Sequence, residues 1–185
     1  FAKPLLRSVA GLPEKIELYN PNAVNGAFID EEVAMLLKGA GFQEVRLGFE
    51  TADRDLQKRM GGKIDNKAFE RAVRHLKAAG FGKSEIRAYV LAGLPGQRWE
   101  TVRDTVDYLS ALGVTANLAE YTPIPQSTMF ARYAKEARYP VEDDPLFQNN
   151  ALFPFAWEGF GESDLNFLKS YTRQKNGLPD PDSSA

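Results

Sequence analysis

The chain has 185 residues, 43% hydrophobic and 26% charged, which suits one globular domain large enough to bury a core. A net charge of −2 gives no global attraction to nucleic acid or an acidic membrane surface, and nucleic-acid binding is not indicated. Cysteine is absent, which excludes disulfides, thiolate catalysis and cysteine-ligated metal within these residues. No apolar run approaches the ~18 residues that cross a bilayer and no signal peptide opens the chain, so no membrane partner is expected and the cytoplasm is the expected compartment.

Phe1 is not an initiator methionine, and residues 1–10 read as the tail of an apolar helix. The chain is therefore expected to be a piece of a longer protein, against the alternative of processing or tag removal. Residues 15–20 read as a first strand. A helix follows with Asp30 as N-cap and Val33, Leu36 and Leu37 on one face, running to Gly39–Gly41. Residues 44–50 form the next strand. A second long helix opens at Asp65 and places Phe69, Ala72, Val73, Leu76 and Ala79 on one face before Gly80. Strand 86–92 follows it.

A third helix aligns Trp99, Val102, Val106, Leu109 and Leu112 before Gly113, and strand 115–121 follows. Gly41, Gly80 and Gly113 fit the left-handed position just past a helix end. Beyond Thr128 the texture turns irregular, rich in proline, acids and aromatics, and is expected to wrap over the preceding domain. Residues 162–174 read as a final helix, and from about residue 177 a polar tail frays.

Strands alternating with helices imply βαβ units, hence parallel strands with right-handed crossovers. Four such strands suit a doubly wound sheet or part of a barrel, and a full eight-unit barrel needs about 200 residues or more. The expected fold is α/β, the C-terminal half of a partial parallel barrel over residues 1–130, with an extension over 131–185.

Side chains alternate along each strand. Val45, Leu47, Phe49 and Ile86, Ala88, Val90, Ala92 are expected against the helices, as are Ile16 and Leu18. The opposite faces then carry Glu17, Tyr19, Arg46, Gly48, Glu50, Arg87, Tyr89, Leu91 and Gly93. Such charges need partners, water or a polar ligand, because an unpaired buried charge costs several kcal/mol. Two outcomes are open: a ligand cavity, with Gly48 and Gly93 making room, or an internal network pairing Glu17 and Glu50 with Arg46 and Arg87.

The strand ends carry three motifs: Arg46-Leu-Gly-Phe-Glu-Thr51, Leu91-Ala-Gly-Leu-Pro-Gly-Gln97 and Tyr121-Thr-Pro-Ile-Pro-Gln-Ser-Thr128. In parallel α/β proteins ligands sit at the carboxyl ends of strands. The order and spacing of these motifs, with Pro21-Asn-Ala23 ahead of them, resemble the radical S-adenosylmethionine (SAM) superfamily, in particular the branch often fused to a cobalamin-binding domain. The likeness spans residues 5–130, with a weaker echo in 144–155.

The resemblance implies a partial TIM-like (β/α)6 barrel, of which this chain holds the last four strands. It implies S-adenosylmethionine and a 4Fe–4S cluster as cofactors, and cobalamin as a further candidate in the parent protein. The three cysteines of the family's CxxxCxxC loop would lie in an N-terminal half of the same protein, its implied partner. The parent would be a radical SAM oxidoreductase of unknown substrate, and this chain alone would be inactive. Carried over by position, Glu50 is the acid near the SAM ribose or amine, with Glu17, Asn20 and Asn22 as further candidates and Gly48 making room. Arg87 would hold the SAM carboxylate or pair with an acid. Gly93, Leu94, Pro95 and Gly96 would support the adenine edge, beside Tyr121 and Pro123. Gln97 and Gln126 depart from the family pattern, and Gln126 is expected to reshape its turn because it tolerates a positive φ less than glycine does.

Two other classes compete. A phosphate-binding α/β enzyme would cradle its ligand on Gly93–Gly96 ahead of the next helix, although Pro95 removes one N–H from such a nest. A non-catalytic partner-binding domain would dock another chain on the aromatic stretch 146–157. His75, Trp99, Trp157 and the Arg71, Arg74, Lys77 cluster read as boundary, packing and solvated-face residues.

Overall fold

The computed structural model describes residues 2–122, 124–149 and 152–179. The elements in chain order are α1 (Ala2–Ala10), β1 (Val24–Asn25), α2 (Glu31–Gly39), β2 (Val45–Glu50), α3 (Arg54–Arg59), α4 (Asn66–Ala78), β3 (Ile86–Ala92), α5 (Trp99–Ala111), β4 (Thr115–Glu120), α6 (Thr128–Tyr133) and α7 (Glu162–Lys175). Four parallel strands form one sheet in the order β1-β2-β3-β4, the sequential order expected of consecutive βα units.

Local chemistry fixes the helix boundaries. Asp30 accepts from the Val33 amide at 2.8 Å and Asp65 from the Ala68 amide at 2.7 Å, each satisfying one orphan donor of its helix. The apolar stripe of α4 is buried at Phe69, Ala72, Val73 and Leu76, and that of α5 at Val102, Val106 and Leu109. His75 is half-buried at the edge of its stripe.

The first strand differs from expectation. Residues 15–20 make only one bridge, Leu18 to Phe42, and the ladder resumes as β1, where Val24 pairs with Leu47 and Asn25 with Gly48. Pro21, which has no N–H to donate, lies between the bridge and the ladder. The Asn20 side chain substitutes for the missing rungs: its amide donates to the Arg46 carbonyl at 3.1 Å, and its carbonyl accepts the Arg46 N–H at 3.2 Å. Without a continuous strand, Ile16 and Tyr19 are 40% and 58% exposed, so neither keeps its expected face.

β2 and β3 alternate as expected. Val45, Leu47, Phe49, Ile86, Ala88, Val90 and Ala92 are buried, whereas Arg46, Gly48, Glu50, Arg87, Tyr89 and Leu91 are half-buried. Phe49 anchors the buried face, its ring 4.1 Å from Phe69 and 5.6 Å from Tyr108, which donates to Glu70 at 2.8 Å. β4 breaks the alternation, with Thr115 and Ala116 both buried.

The chain forms two compact units, one of Phe1–Tyr89 with Asp107–Asn117 and the other of Val90–Val106 with Leu118–Ala185. In the second, Phe153, Phe155, Phe160, Leu165 and Leu168 are buried together with Val102 and Leu94. Phe155 packs against Tyr121 at 5.7 Å and Trp157 at 5.2 Å, so the aromatic run is internal packing, while Leu146 and Leu152 stay 76% and 38% exposed.

Gly41 closes α2 at φ +96°, and a Cβ there would lie 2.1 Å from the Ile16 carbonyl oxygen. Gly41→Ala is expected to cost more than the ~1–2 kcal/mol of a left-handed alanine, because the Leu18 bridge must also part. Urea denaturation measures the loss.

Candidate functional site

β2 ends in a γ-turn. The Thr51 amide donates to the Phe49 carbonyl at 2.8 Å, and Glu50 between them has φ +71°. This turn is rare for an L-residue and costs about 1–2 kcal/mol. Glu50 lines a cavity of about 210 Å³ together with Val24, Asn25, Gly48, Met60 and Lys63. The Lys63 ammonium stands 3.9 Å from the Glu50 carboxylate. The site thus offers one acid and one base on a partly apolar wall, at the carboxyl ends of two parallel strands.

Of the expected residues, Glu50 and Gly48 meet at this cavity and the others of the first unit do not. Glu17 is exposed and accepts from the Tyr19 hydroxyl at 3.5 Å, because the strand expected to turn it inward does not form. Asn20 has both ends of its amide engaged with backbone, including the Asn22 carbonyl at 2.9 Å. Asn22 itself is exposed. Asn25 and Lys63 are the residues that sequence reasoning missed. Lys63 lies in the loop between α3 and α4, 13 positions after Glu50, and no local spacing rule connects the two.

Arg87 pairs with an acid, but not with the ones expected. Its Nε lies 2.9 Å from one oxygen of Glu44, while Arg46 Nε donates to the other at 2.6 Å. Glu44 precedes β2 on the same face as Arg46 and was overlooked as a mere strand start. Arg46 also donates to the Tyr89 hydroxyl at 3.2 Å; that bond and then Glu44 raise its guanidinium above the ordinary value.

In the second unit the turn after β3 is closed from inside. The Gln97 side-chain oxygen accepts the Gly93 and Leu94 amides at 2.9 and 3.1 Å, and its nitrogen donates to the Leu91 carbonyl at 3.0 Å. Trp157 Nε1 donates to the Gly93 carbonyl at 3.2 Å, and a Phe153 ring carbon lies 2.7 Å from where a Gly93 Cβ would stand. Gly93 and Leu94 are buried, Pro95 is half-buried, and Gly96 is exposed. A phosphate nest would need the two amides that Gln97 holds, so the phosphate reading loses its donors. Tyr121 continues the sheet through its amide to the Ala92 carbonyl at 2.8 Å, and burial raises its phenol. Pro123 lies outside the described residues. Gln126 takes φ +66°, the conformation a glycine would supply, so the departure at this position leaves the turn's handedness unchanged.

The family model described as the radical SAM superfamily matches residues 20–109, the stretch that contains the cavity, β2 and the turn after β3. TsrM from Kitasatospora setae, a radical S-adenosylmethionine methyltransferase solved with tryptophan substrate and a SAM analogue, is 26% identical with a TM-score of 0.58, over 72% of this chain and 27% of that one. The same enzyme with cobalamin and a [4Fe-4S] cluster bound gives 27% identity and 0.58 over the same shares. Both the family model and these structures make the chain similar to radical SAM proteins.

The fold is shared more widely. Coproporphyrinogen III oxidase (HemN) from Escherichia coli, a radical SAM enzyme, matches at TM-score 0.57 and 17% identity over 84% of this chain and 32% of its own. The chain therefore spans about a third or less of the solved radical SAM proteins it matches. No protein with a curated description matches it. Among the described residues no helix is long and apolar enough to cross a membrane.

The family implies SAM and a 4Fe–4S cluster, and the residues fit the two unequally. A carboxylate and an ammonium facing one cavity suit SAM, which carries an ammonium, a carboxylate and ribose hydroxyls. At about 210 Å³ the cavity would take part of such a molecule, since ligand pockets run to about 300–1,000 Å³. Cluster irons are held by cysteine thiolates, and these residues include none. No group of three or more metal-ligating side chains occurs among the described residues either.

Gln97 has a definite structural duty. It is 4% exposed, and removing it orphans two buried amides and a carbonyl. Gln97→Ala is expected to destabilise by about 1–3 kcal/mol in urea. Gln97→Glu keeps both acceptor contacts, loses the donor, and should fall between the two.

Proposed function

We propose that this chain is the SAM-binding and substrate-facing part of the barrel of a radical SAM enzyme. Support comes from one observation above all: a strained glutamate held at a strand's carboxyl end, facing a lysine across a cavity. Strain persists where surrounding structure over-determines it, and such residues cluster at functional sites. Glu50 accepts from the ribose hydroxyls or the amine of SAM, Lys63 neutralises its carboxylate, and Gly48 with Asn25 leaves the wall low enough for approach. When bound and given one electron, SAM supplies the 5′-deoxyadenosyl radical that the family uses on its substrates.

The cysteines for the cluster belong, on this reading, to residues outside these 185, in an N-terminal half of the parent protein. Because Gln97 and Trp157 hold the polar groups of Gly93 and Leu94, Pro95 and Gly96 are the residues of that turn left to a ligand. Tyr121 serves as wall rather than hydrogen-bond partner.

Two measurements test the reading. In the cluster-loaded parent protein, Glu50→Gly should hold or raise folding stability by up to about 1 kcal/mol, since glycine relieves the positive φ. The same variant should weaken SAM binding about tenfold or more, the equivalent of ~1.4 kcal/mol, with the cluster absorbance unchanged. Unchanged SAM affinity would remove Glu50 from the site. The 185-residue chain alone should bind SAM weakly by calorimetry, because iron chelation is absent. Submicromolar binding there would contradict the model.

A further inference from the structure

On the half-buried face of β2 and β3, two guanidiniums share one carboxylate. Both oxygens of Glu44 are taken, one by Arg46 and one by Arg87. The remaining partners are neutral: the Tyr89 hydroxyl for Arg46, and the Asn117 side-chain oxygen for Arg87 at a long 3.4 Å. Tyr89 in turn donates to the Pro21 carbonyl at 3.2 Å, which fixes its hydroxyl as an acceptor toward Arg46. Among the described residues no second carboxylate lies within ion-pair distance of either arginine. One positive charge is left over, on side chains only 30% and 33% exposed.

Partial burial makes that surplus costly, and parallel sheets are normally covered on both faces. Here one face is sealed by apolar side chains, and the other presents guanidinium N–H groups with spare donors. Two guanidinium forks side by side match the oxygens of a carboxylate or phosphate better than any neutral group. Arg46 precedes Glu50 by four residues, about 13 Å along the strand at ~3.3 Å per residue. A ligand at the arginines is therefore separate from whatever polar group Glu50 and Lys63 receive.

We infer that Arg46 and Arg87 seat an oxyanion, a carboxylate or phosphate, of the substrate. This rests on the radical SAM reading only in calling the anion a substrate group; the seat itself stands on the charge imbalance. Glu44 competes with the anion for both arginines and sets its affinity.

The test follows the side-chain Nε–H resonances of Arg46 and Arg87 by NMR in the 185-residue chain. Sodium phosphate and sodium acetate are titrated separately at constant ionic strength. Saturable millimolar shifts at both arginines are expected, and the tighter anion tells a phosphate seat from a carboxylate seat. Glu44→Gln should tighten binding about tenfold by freeing both guanidiniums. Arg87→Gln should abolish saturation at Arg46. Arg87→Lys, which keeps the charge and loses the fork, should retain phosphate and lose acetate, and serves if the other variants fold poorly. Non-saturating shifts, or shifts in Arg87→Gln equal to those of the native chain, would overturn the proposal. So would displacement of the anion by SAM, which would give the arginines to the cofactor. Failure of the Glu50 measurement would leave this titration unaffected.

Discussion

A strand whose apolar side chains all point to one face must send every other side chain to the opposite face. In β2 and β3 this constraint organises the molecule. Val45, Leu47, Phe49, Ile86, Ala88, Val90 and Ala92 are at most 1% exposed, and roughly 25 cal/mol per Å² of apolar burial makes their face the one the fold cannot vary. The face left over receives Glu44, Arg46, Gly48, Glu50, Arg87 and Tyr89, a set too polar to be a core. Charge on that face is tolerated because it is paired, half-wet, or available to a ligand.

Two strand ends show different uses of the same position. β2 stops at a glutamate forced into a left-handed γ-turn, where the side chain lines an open cavity. β3 stops at a glycine with φ +90°, which needs no forcing, and its amides are closed off by Gln97. The first end is strained and open, the second relaxed and sealed. In the second unit Phe153, Phe155 and Trp157 complete the seal, which explains why so aromatic a stretch does not remain in solvent.

Much of the fold was legible. Asp30 and Asp65 as caps, the α4 and α5 stripes, strand 86–92 and the helix-ending glycines all follow from local rules whose energetics involve neighbours within a turn or two. Helix 162–174 was legible for the same reason. Of the residues lining the cavity, strand alternation picked out Gly48 and Glu50. It failed at Glu17, because residues 15–20 make one bridge among the described residues and do not form the expected strand. It failed at Arg87's partner too, because Glu44 reads as a boundary residue until its two oxygens are seen between two arginines.

By itself the sequence determined which residues form helices, which face of each central strand is apolar, and which family the motif order resembles. These depend on periodicity and on short spacings along the chain. Tertiary structure alone decided that Lys63 faces Glu50, that Glu44 bridges Arg46 and Arg87, and that Gln97 closes the turn its neighbours were expected to offer. Those contacts arise where separate loops and strands converge, and the energy of a charge or a hydrogen bond depends on distance in space rather than on distance along the chain.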